Sequence, residues 1–217
     1  EEPRADVRDA EDNSEPQPNP LLVLATQLVR SSRVAALPLG RPSLKFRPLA
    51  KQARRWLEQV DILLLVGGSS SGHRCLGYDI LSSLGEVSFA GMDLEPAANT
   101  SLGTVSGKPV VVIPGSFADI LAAYVLLVRP LAHRYLTPNQ YCGEIELALE
   151  HGSRLGAGRD TAVPVRFGTS QDGGGWSTRF SGRVRDPWQD YVRGQALVVL
   201  EAGRRYADGE LVTAHTY

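Results

Sequence analysis

The residues best suited to chemistry lie at 61–72, DILLLVGGSSSG, where an apolar run at 62–66 breaks into two glycines and three serines. A helical spacing follows at 75–84. This order of buried strand, tight small-residue turn and helix puts the turn at the carboxyl end of a strand, where open parallel sheets take their ligands. A second turn of the same kind, Pro114-Gly115-Ser116, opens another helix, and Asp119 stands three residues after Ser116 in capping-box spacing. The bare N–H groups of a helix start favour an anion, and two such starts on one sheet edge can cradle a phosphate together.

The same residues admit other chemistry. Gly68-Ser69-Ser70-Ser71-Gly72 satisfies G-x-S-x-G, the nucleophile elbow of α/β hydrolases, with Ser70 as nucleophile and Asp119 with His133 or His151 as candidate partners. A histidine on a long apolar helix, as His133 is, more often has a structural role than a catalytic one. Glycines in a tight turn also have a purely conformational use. Asp79, Asp93 and Asp119 are scattered, so no metal cluster is predicted. Trp176, Trp188 and Tyr191 read as core or interface aromatics of a β region, and Arg179, Arg183, Arg185 and Arg193 as its solvated face.

Composition bounds the elements that must hold these turns. Of 217 residues 42% are hydrophobic and 22% charged, which excludes disorder over most of the length. A formal charge of −1 sets up no general basic field, so neither nucleic acid nor an anionic membrane surface is expected as a partner. The most apolar run, 117–128, contains Asp119 and is too short to span a bilayer. Cys75 and Cys142 are too few for a disulfide framework and lack metal-ligand spacing, so buried thiols in a cytoplasmic protein are expected. The chain starts at Glu1 with Met92 as its one methionine, and reads as processed, trimmed or the end of something longer.

Residues 1–19, rich in Glu, Asp and Pro, read as a solvated tail or linker. Helices are predicted at 21–29 after Pro20 and at 44–60, where Leu49, Ala53, Trp56, Leu57 and Val60 share a face and the Arg and Lys residues lie outward. Residues 34–39 read as a short strand weakened by Pro38, and 86–94 as another. Gly85 closes the helix at 75–84. Ser106-Gly107-Lys108 reads as the turn of a hairpin between TSLGTV and PVVVIPG. Composition changes near Thr137-Pro138-Asn139, and short β-like runs follow at 145–149, 162–167, 176–184, 196–200 and 211–216, with a Gly-rich loop tip at 173–175. The expected fold is α/β, a three-layer sheet with helices on both faces at 20–137, followed by a small all-β, barrel-like domain at 138–217.

The stretches DILLLVGGSSSG, LGYDILSSLGEVSFAGMDLEP and SGKPVVVIPGSFADILAAYVLLVRPL, in that order and spacing, resemble the molybdopterin-binding domain of molybdopterin molybdenumtransferases, the MoeA and gephyrin E-domain family. ALVVLEAGRRYADGELV is similar to that family's small C-terminal β domain, so the resemblance covers about 20–217. It implies molybdenum cofactor assembly: binding of molybdopterin or its adenylate, with Mg2+ and molybdate as further reactants. It also implies a homodimer, or a hetero-complex with a molybdoenzyme or another cofactor-assembly protein. Gly67, Gly68, Ser70 and Gly72 match the first glycine loop, Pro96 the first proline of KPGKP, Gly107, Lys108 and Pro109 the GKP segment, and Pro114 and Gly115 the PGN turn. The implied ligand contacts are Gly67, Gly68, Ser70, Gly72, Thr100, Pro114, Gly115 and Ser116. Other positions depart from the family's pattern: Glu95 and Ala98 stand where it carries lysines, His73, Arg74 and Cys75 where it carries an acid, and Ser116 and Phe117 where it carries asparagine and proline. The family's two further N-terminal domains have no counterpart in these residues. The expectation is therefore a divergent molybdopterin-binding protein with little or no transferase chemistry, with a non-catalytic assembly subunit as the alternative.

Overall fold

A computed structural model describes residues 19–67, 76–136, 143–152, 158–169, 176–180 and 187–217. Gly68, Ser70 and Gly72 of the first loop, both cysteines, the boundary at 137–139 and the glycines at 173–175 lie outside them.

Helix α1 (Pro20–Ser31) starts where the Asn19 side chain accepts the Leu21 N–H at 3.0 Å, with Pro20 in the first turn, a position where its missing N–H is not needed. Residues 34–39 belong to neither sheet, contrary to the strand expected there; Pro38 removes a ladder donor. After α2 (Phe46–Leu57) come β1 (Leu63–Val66), α3 (Leu76–Leu84) and β2 (Glu86–Ala90). The strand expected through residue 94 breaks at Gly91, which sits at φ +92. The chain resumes as a two-residue strand, β3 (Leu94–Glu95), in a different sheet. Strands β4 (Ser101–Val105) and β5 (Lys108–Ile113) form the predicted hairpin, with Ser106 (φ 53) and Gly107 (φ 76) both left-handed, as a tight two-residue turn requires. A long helix follows as α4 (Phe117–Ala123), a π-helical stretch (Tyr124–Val128) and α5 (Arg129–Leu136).

The first sheet has the order β1-β5-β4-β2, with β1 and β5 parallel and the other pairs antiparallel. Strands β1 and β5 are apolar on both sides because each face is covered. Leu63, Leu65, Val110 and Val112 pack with Leu49, Ala53, Trp56 and Leu57 of α2 and with α3. The alternate residues Leu64, Val66, Val111 and Ile113 pack with α1 and α4. The two-residue side-chain period of a strand thus divides β1 and β5 between two cores, and three layers result. Gly85 ends α3 as expected but for another reason than a left-handed cap: a Cβ there would stand 1.9 Å from the Thr104 carbonyl oxygen, so only glycine lets helix and sheet meet.

The second sheet contains β6 (Glu144–Leu149), β7 (Asp160–Thr169), β8 (Trp176–Phe180), β9 (Ala196–Leu200) and β10 (Leu211–Thr216), in the order β3-β7-β8-β6-β10-β9. Because β7 also pairs with β9, these five strands close on themselves into a small barrel around Leu147, Leu149, Val165, Val198 and Leu200. Within this β region the chain also forms a helix, α6 (Pro187–Arg193), which carries Trp188 and Tyr191. No helix among the described residues is long and apolar enough to cross a membrane.

Candidate functional site

The parallel pair β1 and β5 ends in register, Val66 opposite Ile113, and both strands turn at once. Gly67 turns with φ +86 and donates its N–H to the Ile113 carbonyl at 2.9 Å. Gly115 lies against it so closely that a Cβ on Gly115 would be 3.2 Å from the Gly67 Cα. Gly67 and Gly115, one from each turn singled out in the sequence, are therefore in contact at one edge, with Pro114 buried beside them. The Gly67 N–H is already spent on the sheet, so a ligand would meet this residue's backbone only through the close approach that glycine allows.

Ser116 caps α4: its hydroxyl accepts the Asp119 N–H at 3.1 Å and donates to the Asp119 carboxylate. In a capping box the acidic side chain returns to the N–H of the cap residue. Here the other carboxylate oxygen of Asp119 crosses to the 95–98 loop and accepts the Ala97 N–H at 2.7 Å. Ala97 has φ +91 and follows a cis Glu95–Pro96 bond. Thr100 joins the same loop, donating its N–H to the Ala97 carbonyl at 2.9 Å, and its fully buried side-chain hydroxyl has no partner among the described residues. A buried hydroxyl is normally paired, so Thr100 retains unused hydrogen-bonding capacity at this loop.

Electrostatically this edge is acidic. Glu95, whose charge opposes that of the family's lysine, pairs with Arg159 at 2.9 Å, and the same guanidinium lies 3.5 Å from Asp93. Arg159 precedes β7, which runs parallel to β3 with Leu94 opposite Asp160, so the barrel supplies the counter-charge. Helix α6 borders the same region: the Tyr191 hydroxyl donates to the Ala162 carbonyl at 3.1 Å. Burial, reinforced by the negative charges of Asp119, Asp190 and Glu95, pushes the Tyr191 hydroxyl up to about 12. Phe117 turns part of its ring into the core that α4 shares with the sheet.

The site residues named from the sequence thus divide. Gly67, Pro114, Gly115 and Ser116 come together, and Thr100 is linked to them through Ala97 and Asp119, while Gly68, Ser70 and Gly72 lie outside the described residues. Lys108 of the GKP segment is elsewhere: its ammonium donates to the carbonyls of Leu57 (2.6 Å) and Val60 (2.9 Å), closing the end of α2 at the opposite edge of the sheet. The acid of a Ser70 triad, Asp119, has Ala97 and Ser116 as partners rather than a histidine. Among the described residues no three His, Cys, Asp or Glu side chains could hold a metal ion. Sequence reasoning missed Arg159 and the reach of Asp119 to Ala97. Neither has a local signal, because the partners are 64 and 22 residues apart.

A terminal phosphate fits the Ser116 and Ala97 donors poorly as they stand. A carboxylate already holds them, and two like charges a few ångströms apart repel.

No protein-family profile and no curated protein matches the sequence. Solved structures do. The chain is similar to the molybdopterin biosynthesis MoeA protein of Pyrococcus horikosii at 21% identity and a TM-score of 0.70, over 94% of this chain and 50% of that one. It is similar to a molybdenum cofactor biosynthesis protein of Pyrococcus furiosus at 16% identity and a TM-score of 0.66, over 90% and 63% respectively. A second MoeA protein, from Pyrococcus horikoshii OT3, matches at 16% identity and a TM-score of 0.63, over 90% and 45%. The fold is MoeA-like, and the chain spans about half to two thirds of the length of these relatives in structure.

Proposed function

Taking the MoeA-like fold as premise, we propose that this chain serves molybdenum cofactor biosynthesis as a divergent binding module that takes molybdopterin or its adenylate as cargo, with impaired or no transferase chemistry. The observation that supports it is the contact of Gly67 with Gly115 at the carboxyl ends of the parallel strands β1 and β5. Such an edge is where α/β sheets accept ligands. In this reading residues 20–137 are the binding unit and 138–217 a small β unit that flanks it. The Thr100 hydroxyl, Gly67, Pro114, Gly115 and Ser116 contact the pterin, and Gly68, Ser70 and Gly72 are assigned to the same contact set. Mg2+ and molybdate would act only on a complete transferase, as the resemblance implies. The partner is a second copy, a molybdoenzyme or another cofactor-assembly protein, in the cytoplasm. Calorimetric titration with molybdopterin and with its adenylate tests this: saturable one-to-one binding is expected, and no heat of binding at cofactor-relevant concentrations ends the reading.

A second reading is favoured by Asp119. Its carboxylate occupies the Ala97 N–H that a ligand oxyanion would use. On this reading the chain is a non-catalytic interaction subunit that keeps the fold without the pterin. Native mass spectrometry of the purified complex separates the two readings, since a stoichiometric protein partner without pterin supports only the second.

A further inference from the structure

We propose that residues 1–18 of this chain dock, in cis, on the outer face of α2, held by charge. The charge distribution motivates it. Residues 1–18 carry seven acidic side chains (Glu1, Glu2, Asp6, Asp9, Glu11, Asp12, Glu15) against two arginines. Residues 41–60 carry six basic side chains against one acid, Glu58. All six, Arg41, Lys45, Arg47, Lys51, Arg54 and Arg55, are exposed, and none makes an ion pair among the described residues. Arg47, Lys51, Arg54 and Arg55 fall at helical intervals on the side of α2 away from Leu49, Ala53, Trp56 and Leu57, which are buried against the sheet. The net charge of −1 thus conceals a strongly acidic segment at 1–18 and an oppositely charged segment of equal size at 41–60.

Connectivity brings the two within reach. The far end of α2 is fixed at the start of β5 by Lys108, so its first turn, with Arg47, lies toward the opposite edge of the sheet. That edge also holds α1, because Leu21 Cδ1 comes within 3.7 Å of where a Cβ on Gly115 would stand. Residues 1–18 therefore leave the fold at Asn19 near the same edge. Extended, they span up to about 60 Å, whereas the three layers measure roughly 30 Å across. Tethering gives the segment an effective concentration in the millimolar range for that face, an advantage that a free polyanion lacks. The first turn of α2 has no acidic residue and no side-chain cap, so an arriving carboxylate also meets a favourable helix end.

Zero-length carbodiimide coupling of the full chain, followed by peptide mass spectrometry, tests the proposal. Lys45 and Lys51 are expected to join carboxylates of 1–18 within monomers. The yield should drop about fivefold or more on going from about 0.1 M to about 1 M salt, where the screening length shrinks from about 10 Å to about 3 Å. The triple variant R47E/R54E/R55E keeps both lysines and leaves the buried face of α2 intact, and its yield should drop likewise. Links only to Glu58, links found only in covalent dimers, or a yield unchanged in the triple variant would each overturn the proposal. So would displacement of the segment by an equimolar oligonucleotide.

Discussion

The Asp119 carboxylate accepts the Ala97 amide at 2.7 Å, tying the start of α4 to a loop 22 residues earlier in the chain. The link leaves the Ser116 cap intact, because the serine hydroxyl serves the Asp119 amide as well as its carboxylate.

Replacing Asp119 by Ala strands the Ala97 N–H and removes the partner of the Ser116 hydroxyl. A loss of about 1–3 kcal/mol is expected in urea denaturation. Asp119→Asn keeps an acceptor oxygen and should recover part of that loss. By removing the negative charge it should also strengthen binding of inorganic phosphate about tenfold in calorimetry.

Lys108 provides a contrast. Its ammonium holds two carbonyls at the end of α2, so Lys108→Met should lower stability by about 1–3 kcal/mol. Since it sits at the far edge of the sheet, titration with molybdopterin should give the same affinity as the parent. A large loss of affinity in a folded Lys108→Met protein would mean that the lysine has a ligand role.

Gly103 lies in β4 where a Cβ would come 2.2 Å from the Glu86 carbonyl and 2.9 Å from the Leu81 side chain. The carbonyl belongs to the neighbouring strand and cannot move aside cheaply. Gly103→Ala is expected to cost about 3 kcal/mol or more. Gly168 in β7 faces open space, and Gly168→Ala should stay within about 0.5 kcal/mol by the same denaturation assay.

The Tyr191 hydroxyl sets an alkaline limit. Its folded-state value of about 12 lies above the ordinary 10.0, so the unfolded chain releases this proton first. Stability that is full below pH 10 therefore falls as the pH rises through about 12, by up to about 3 kcal/mol from this group. Burial pushes Tyr217 up as well, in the same direction. Denaturation midpoints followed at alkaline pH should decline in the parent and less steeply in Tyr191→Phe.

The elements most legible in the sequence are those whose pattern is local. The apolar runs of β1 and β5, the left-handed Ser106-Gly107 turn and the Ser116 cap each announce themselves within a few residues, and the structure has all three. Residues 34–39 carry β-like composition, but with Pro38 they join no sheet. Helix α6 is only seven residues long and stands among β runs, so its pattern is too short to outvote them. The site is legible as a place and less so as chemistry. Two glycine turns predict the meeting of Gly67 and Gly115, whereas the pairing of Glu95 with Arg159 depends on a strand crossing into another sheet. Lys108 is the reverse case: the resemblance places it in the GKP segment and gives it no role, and long-range packing makes it a cap on the end of α2.

The two residues of β3 have a mechanical consequence. Leu94 and Glu95 run alongside Asp160 and Thr161, and the next residues are Pro96 and Ala97. The Ala97 amide is thus gripped from two directions, by the barrel through β3 and by α4 through Asp119. The candidate site thus draws on both sheets: Gly67 and Gly115 hang from the first, while the Ala97 amide is held between the second, through β3, and the start of α4.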